Sequence, residues 1–492
     1  IAEWLRDPAS RNLGLKNLSW VRLNVQMTEI TELIGTGRKK ISMADVPIEK
    51  AAPYAAADAE VVLRLKPLLE ADLEETGVTR AFTEMELPLI PVISQMEMAG
   101  ISLDVAFLNN MSQELESDLA KIAEKIYQQV GMEFNLNSPA QLSQALFEQM
   151  KIEPPEGTKK TAGGSYSTAA DVLESLKEEH ELVEWVLEYR ELSKLKSTYV
   201  DSLPKQLNPK TGRVHTSYNQ VGSVTGRLAS SDPNLQNIPI RTERGRQVRK
   251  AFVADAGNVL MAIDYSQVEL RVVAHIADDQ TMLQAFRENQ DIHATTAAKI
   301  LGKDLTDITS EERRNAKAVN FGLIYGMSAF GLTRSSDLTL AEAQDFVKAY
   351  FEQFPGVRVY IDETKKSATE KGYVETLMGR RRYFHALKEG TNQIVKSRLE
   401  REAINSPIQG SAADIMKLAM LRVAAALKKS NLDCKILLQV HDELVLECAE
   451  SQLEQCAKLV TEEMEAAYTL KVPLKTDAKW GKNWHEMQDL EI

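Results

Sequence analysis

Two apolar runs in this chain are closed by acids. Val259-Leu260-Met261-Ala262-Ile263 leads into Asp264, and the segment Ile436 to Leu446 encloses Asp442-Glu443. The first has the length of a strand, and the second reads as a hairpin with Gln439 to Glu443 around its tip. Carboxylates set in such sequence are costly unless something binds them. Elsewhere the period is helical. Val105 to Val130 is a long amphipathic pattern stopped by Gly131, and Asn137-Ser138-Pro139 opens another helix, with Ser138 at the cap and Pro139 at the first helical position. Ile48 to Leu69 reads as an Ala-rich helix closing a mixed helical region, Phe82 to Met98 as an apolar helix, and Gly100 to Asp104 as a turn and short strand. Helices are expected from Ala169 through Lys196, strands and turns from Val214 to Ile263, helices again from Val268 to about Ser367, and strands from Lys435 to Glu447. The sum is an α+β core interrupted by helical insertions, without internal repeats. Gly157 to Ser165 is a loop that lacks the Gly-Lys-Ser/Thr ending of a phosphate-binding loop.

A length of 492 residues accommodates about three domains. No apolar stretch approaches the roughly 20 residues that span a bilayer, and the first residues lack the order of a signal peptide, so a soluble, cytoplasmic protein without membrane contact is expected. The chain begins on Ile1 rather than Met, so an upstream part is expected too. Cys434, Cys448 and Cys456 are too few and too irregularly spaced for a disulfide framework or zinc site, and are expected to be reduced core or surface thiols.

The formal charge of -12 argues against a nucleic-acid partner, but its distribution argues the other way. Between Pro204 and Lys250 lie nine bases (Lys205, Lys210, Arg213, Arg227, Arg241, Arg244, Arg246, Arg249, Lys250) against Asp232 and Glu243. Such a stripe on an acidic body suits a protein that holds DNA in one groove; a solvated basic face is the plainer alternative.

Asp264 stands where a strand ends and Ser266-Gln267-Val268-Glu269 offers a capping box to the next helix. If that strand and the 436–446 hairpin share a sheet, their acids lie a few Å apart. At about 4 Å the repulsion is roughly 4 kcal/mol at an effective dielectric of 20, which a hard divalent cation would relieve. Two such ions can activate a hydroxyl and stabilise a leaving phosphate oxygen. Between the acids, Arg313, Lys317, Phe321 and Tyr325 recur every four residues and form one slowly drifting helical stripe. Its cations suit a triphosphate, with Lys317 able to protonate the departing pyrophosphate, and its rings suit sugar and base. An amphipathic helix with a basic edge and aromatic core contacts is the other reading.

Together these segments resemble motifs A, B and C of family A DNA polymerases, the bacterial DNA polymerase I type, from about residue 83 to the C-terminus. The resemblance rests on Asp264-Tyr265-Ser266-Gln267-Val268-Glu269-Leu270-Arg271, the helix Arg313 to Gly326, and Gln439-Val440-His441-Asp442-Glu443. Thr225-Gly226-Arg227-Leu228, Asp232 to Asn237 and Arg401 to Gly410 match as well. It implies a right hand: an antiparallel palm sheet with helical fingers and thumb. Residues 83–104 would lead into the palm, 105–205 form the thumb, 206–280 palm, 281–400 fingers, and 401–492 palm again. Asp264, Asp442 and the Tyr265 carbonyl would hold two Mg²⁺ ions, for which Mn²⁺ can substitute, with Glu443 auxiliary. Glu269 would block a ribose 2′-hydroxyl, with Gln267 beside it. Arg313, Lys317 and His293 would meet the triphosphate, Phe321 the sugar and Tyr325 the templating position. Arg227, Asn234, Gln236, Arg401, Asn405, Gln409 and His441 would follow the primer-template near its growing end, and Arg190 and Lys194 would grip the duplex backbone. The implied partners are primer-template DNA and dNTPs, the implied state is a monomer, and the implied place is the bacterial nucleoid.

Residues 1–82 resemble the end of the family's 3′-5′ exonuclease domain, where Tyr54-Ala55-Ala56-Ala57-Asp58 matches its last motif. The other carboxylates of that site are not found in this chain, so proofreading is not expected of it. Two rivals share parts of the pattern. A single-subunit RNA polymerase would need room where Glu269 stands, and a DNA-binding scaffold without chemistry would have no need of both Asp264 and Asp442.

Overall fold

In a computed structural model, which describes residues 1–155, 158–161, 163–240, 242–334, 336, 338–387 and 391–492, the predicted order of helices and strands is largely present. Gly157 and Ala162 of the expected loop, and Arg241 of the basic stretch, lie outside the described residues. In the first 82 residues the longest element is α1 (Ile48–Glu75). It outruns its expected end at Leu69 because Leu73, one turn on, is buried with Trp4, Leu5, Val78, Ala81 and Met85 in a local core. After a wider turn at Phe82–Glu86, α2 (Leu87–Ala99) ends at Gly100, whose φ of 58° and close approach to His215 leave no room for a side chain.

The amphipathic helix α3 (Val105–Val130) has the expected bounds. The Asp104 carboxylate accepts from Phe107 N at 2.9 Å at one end, and Gly131 takes the left-handed conformation at the other. The helicity expected without a break from Ala169 is interrupted at 175–180, between a short helix at Ala170–Glu174 and α4 (Glu181–Leu195). Leu108, Leu115 and Ile126 of α3 meet Val183 and Val186 of α4 in one apolar cluster.

The central sheet contains β1 (Asn258–Tyr265), β2 (Cys434–Val440), β3 (Glu443–Ala449), β4 (Thr476–Gly481) and β5 (Gln488–Asp489). Its order is β5-β4-β1-β3-β2, antiparallel throughout, so β1 lies at the centre. Alternation sorts the side chains to two faces. Val259, Met261 and Ile263 join the larger core, whereas Leu260, with Val445 and Val440, joins the core shared with α3 and α4. Asp264 is in phase with Leu260 and Ala262, and so leaves the sheet on the α3 side just where the apolar cover ends.

The larger core is completed by α5 (Val268–Ala277), α6 (Ile292–Leu301), α7 (Ser310–Ile324), α8 (Gln393–Lys429) and α9 (Leu453–Glu465). At 37 residues, α8 is longer than anything the sequence pattern suggested; Pro407 lies inside it. The capping box expected at Ser266-Gln267-Val268-Glu269 does not form. Gln267 takes φ 54° and ψ 41°, α5 begins one residue later without a side-chain cap, and the Glu269 carboxylate is engaged elsewhere.

Candidate active site

Strand register brings the acids together. Asp264 on β1 stands directly opposite Glu443 on β3 and Asp477 on β4. Directly opposed residues of antiparallel strands project from the same face with Cβ atoms about 5 Å apart. Asp442 precedes Glu443 in a two-residue turn whose first residue, His441, has a φ of 54°, and Tyr265 N donates to the Asp442 carbonyl at 3.0 Å. The hairpin tip is thereby tied to the end of β1.

Burial raises the pKa of Asp264, Asp442 and Glu443, and crowding adds to it at Asp264. Asp264 itself reaches solvent, yet the protein packed around it, then the charges of Glu443, Asp442 and Asp477, push it up to about 7. Burial raises Asp442, partly offset by Arg227, and raises Glu443, offset by Arg249 and by a hydrogen bond from Trp484 Nε1 at 3.1 Å. The donor set is oxygen only and carries surplus negative charge, which fits a hard divalent cation. Among the described residues no group of three His, Cys, Asp or Glu side chains is arranged to hold a metal by itself, so an ion here would complete its shell with a backbone carbonyl, substrate or water.

The stripe on α7 faces this end of the sheet's neighbourhood through Glu269. The helix is opened by a full capping box, Thr309 with Glu312. Arg313 is exposed, and its Nε donates to Asp291 at 2.7 Å; Lys317 is also exposed. Asp291 in turn caps α6, accepting from His293 N and Ala294 N. His293 is 2% exposed. Burial, with Arg313 and Lys317 nearby, outweighs Asp291 and drops its pKa to about 4. Asn320 Nδ2 donates to its Nδ1 at 3.0 Å, which leaves the proton of the neutral ring on Nε2. Phe321 follows with its ring 5.7 Å from His293 and 6.3 Å from Tyr325. The stripe ends at the Tyr325 hydroxyl, which hydrogen-bonds Glu269, and Arg227 grips the other oxygen of that carboxylate at 2.8 Å.

Arg227, Asn234, Gln236, His441 and Asp442 wall one groove, with Lys417 and Met416 of α8 opposite. Gln236 is fixed by Nε2 bonds to the carbonyl and side chain of Gln439, while Asn234 accepts from Gln236 N. Gly226 is required there, since a Cβ would lie 2.7 Å from Arg380 Nε. Arg401, Asn405 and Gln409 form a separate row along α8, each four residues on. Arg401 packs against Gly326, and the Asn405 Oδ1 is buried without a hydrogen-bond partner among the described residues. Arg190 is not free: its guanidinium is held by the carbonyl and hydroxyl of Thr168, whereas Lys194 of the same helix is exposed. Tyr54 and Asp58 sit one turn apart on α1, with the Lys16 ammonium 5.3 Å from the Tyr54 ring centre.

The expected basic stripe is largely neutralised by acids distant in sequence. Arg213 pairs with Asp255 and Glu447, Arg227 with Glu269, Arg244 with Asp118, and Lys250 with Glu486, while Arg246 pairs locally with Glu243. A count along the chain cannot see partners that only folding supplies.

Sequence reasoning missed Asp477 and Trp484 around the acids, and read Arg249 only as one base of the stripe. It also missed a buried quartet beneath the groove, in which Arg380 binds Glu86 at 2.5 Å and Asp414 at 2.8 Å, and Lys417 binds Glu86 at 2.7 Å. Trp4 covers it, with Arg380 4.8 Å and Lys417 5.3 Å from its ring centre. The alternation of Thr476-Asp477-Ala478-Lys479-Trp480 was the available signal for β4.

The family model described as DNA polymerase family A matches residues 105–486. The chain is 47% identical over 484 residues to DNA polymerase I of Chloroflexus aurantiacus, covering 97% of this chain and 51% of that protein. It is 43% identical over 487 residues to DNA polymerase I of Geobacillus stearothermophilus, covering 99% and 55%, and 44% identical over 436 residues to the thermostable DNA polymerase I of Thermus aquaticus, covering 89% and 51%. The chain spans about half the length of these relatives. Among solved structures it is similar to the POL domain of Pol1 from M. smegmatis in complex with DNA primer-template and dNTP, with a TM-score of 0.88 at 38% identity, covering 99% of this chain and 81% of that one.

Proposed function

The chain belongs to DNA polymerase family A, and from that premise we propose that it is a template-directed DNA polymerase that extends a primer 3′-hydroxyl with dNTPs and releases pyrophosphate, in DNA replication and repair. The observation that carries the reading is the register that sets Asp264 against Glu443 at the end of β1 while Tyr265 N holds the Asp442 turn. Asp264, Asp442 and the Tyr265 carbonyl would hold two Mg²⁺ ions, or Mn²⁺ in their place. Bound there, the ions would lower the pKa of the primer hydroxyl and stabilise the leaving phosphate oxygen.

The protein's own groups do the rest. Arg313 and Lys317 would take the triphosphate, Arg313 exchanging Asp291 for phosphate, and Lys317 would protonate the departing pyrophosphate. His293 would donate from Nε2, the ring proton left by Asn320. Phe321 would lie against the sugar. Glu269, pinned from two sides, would fill the space of a ribose 2′-hydroxyl. The groove of Arg227, Asn234, Gln236 and His441, with Arg401, Asn405 and Gln409 of α8, would follow the primer-template through backbone and shape, as copying of any sequence requires. Lys194 would reach the duplex backbone from α4, and Arg190 would brace that region through Thr168.

In this reading residues 105–205 are the thumb, 281–400 the fingers, and 83–104, 206–280 and 401–492 the palm. Residues 1–82 are the last part of a 3′-5′ exonuclease-like domain, and the chain itself does not proofread, since Asp58 is the one carboxylate of that site it carries. It acts as a monomer, in the cytoplasm with the nucleoid; no helix among the described residues is long and apolar enough to cross a membrane. Primer extension with Mg²⁺ on a defined template, comparing dNTPs with ribonucleotides, tests the proposal. Template-directed addition of dNTPs is expected; no extension, or equal use of ribonucleotides, would overturn it.

A further inference from the structure

All three cysteines of the chain, separated by 8 to 22 positions in sequence, meet at one place. Cys434 on β2 is the register partner of Cys448 on β3, and Cys456 on α9 packs onto the same pair. The three thiols are close enough to interact electrostatically. Ala449 N donates to the Asp433 carbonyl at 3.0 Å, which makes the neighbouring pair Asp433 and Ala449 the hydrogen-bonded one and Cys434 with Cys448 the non-bonded one. Non-bonded pairs have Cα atoms about 4.5 Å apart with side chains close, inside the span of roughly 4.4 to 6.8 Å that a disulfide bridges.

Access also suits thiol chemistry. Cys448 and Cys456 are fully buried, but Cys434 is half-buried and lines a groove with Leu421, Ala424, Leu427, Lys428 and Lys435. The two neighbouring thiols and burial push the Cys434 thiol up, while Cys434 pulls the Cys456 thiol below its ordinary value, so the trio holds Cys434 in its thiol form at rest. Among the described residues these thiols are not arranged to hold a metal ion.

We propose that Cys434, Cys448 and Cys456 form a redox-active thiol site, in which Cys434 is oxidised by a peroxide and closes a reversible disulfide with Cys448. The Cys434 sulfur attacks a peroxide oxygen as its S–H bond gives up the proton; the O–O bond breaks, and the departing hydroxide takes that proton and leaves as water, with Cys434 now a sulfenic acid. The Cys448 sulfur then attacks the Cys434 sulfur, the S–O bond breaks, and the second hydroxide leaves as water with the Cys448 proton. Two thiols lose two electrons in all, and one peroxide is reduced to two waters. Cys456 is the spare thiol, placed to reopen the disulfide by exchange. The disulfide would join β2 to β3 at the end of the hairpin opposite Asp442, crosslinking the strands that carry the acids without touching them.

The test uses the full chain with dilute hydrogen peroxide, followed by denaturation, alkylation and intact-mass measurement. Three alkylated thiols are expected before treatment and one after, with three restored by dithiothreitol and a peptide map linking Cys434 to Cys448. Cys434→Ser and Cys434→Ala should each keep two alkylatable thiols through the same treatment. Three alkylated thiols after peroxide, oxidation of Cys434 to a sulfinic acid without a crosslink, or loss of both remaining thiols in the Cys434 variants would each overturn the proposal.

Discussion

The Tyr325 hydroxyl, at the end of the helix that carries the cationic stripe, is hydrogen-bonded to the carboxylate of Glu269 at the start of the helix that follows β1. Glu269 is thus held from the α7 side by Tyr325 and from the groove side by Arg227. If this carboxylate excludes a ribose, Glu269→Ala should raise kcat/KM for ribonucleotides relative to deoxynucleotides by roughly 10- to 100-fold, the worth of about 1–3 kcal/mol in a shaped pocket. Tyr325→Phe leaves Arg227 in place and should relax selection less. Steady-state kinetics on one template read both, and an unchanged preference in Glu269→Ala would remove its selective role.

Asp264 and Asp442 differ in burial but share one negatively charged corner. Replacing either by Ala should lower primer extension by about 1,000-fold or more, on the order of 4 kcal/mol. Primer-template affinity, read by anisotropy of a labelled duplex, should change little, because the proposed contacts to the duplex come from Arg227, Asn234, Gln236 and His441 rather than from either carboxylate. Extension retained in either variant would dismiss the assignment.

His293 supplies a pH dependence with a definite sign. Its folded pKa of about 4 lies below the ordinary 6.5, so between those values the unfolded chain binds a proton that the folded chain refuses. The stability it contributes is therefore complete above about 6.5 and is lost as pH falls toward 4, to an extent on the order of 3 kcal/mol. Urea unfolding across that range should show the loss, and His293→Gln should flatten it. An equal slope in both proteins would mean that other groups carry it.

Glu86 neutralises two cations that are almost fully buried, Arg380 and Lys417. Glu86→Gln should cost about 3–5 kcal/mol, since it strands buried positive charge. Glu86→Gln combined with Lys417→Met should recover part of that loss. Denaturant midpoints measure both, and a cost under about 1 kcal/mol would show that the quartet is solvated in solution.

Legibility in the sequence followed the range of the physics. The α3 bounds were readable because Asp104, the apolar spacing and Gly131 act within a few residues of one another. The strands that carry Asp264 and Asp442 to one corner were readable because acids close apolar runs. What failed was long-range. The Ser266 to Glu269 capping box has local logic, but Glu269 finds stronger partners in Arg227 and Tyr325. The basic stretch lost its net charge to acids such as Asp118 and Glu447, and the thiols that looked scattered are brought together by a strand register and one helix. Arg190 looked free to grip DNA until Thr168 claimed its guanidinium.

The place of β1 at the centre of the sheet bears on how the protein is made. Both neighbours of β1 come from the last fifty residues of the chain, β3 on one edge and β4 on the other. On the ribosome, the strand bearing Asp264 therefore waits with both edges unpaired while 266–442 is synthesised, on the order of ten seconds or more at typical elongation rates. Helices whose contacts are local can form during that interval, but the acidic corner cannot exist in half-built chains. Its assembly is a late event of biosynthesis, and the two open edges of β1 are where a nascent chain most needs protection from pairing with a stranger.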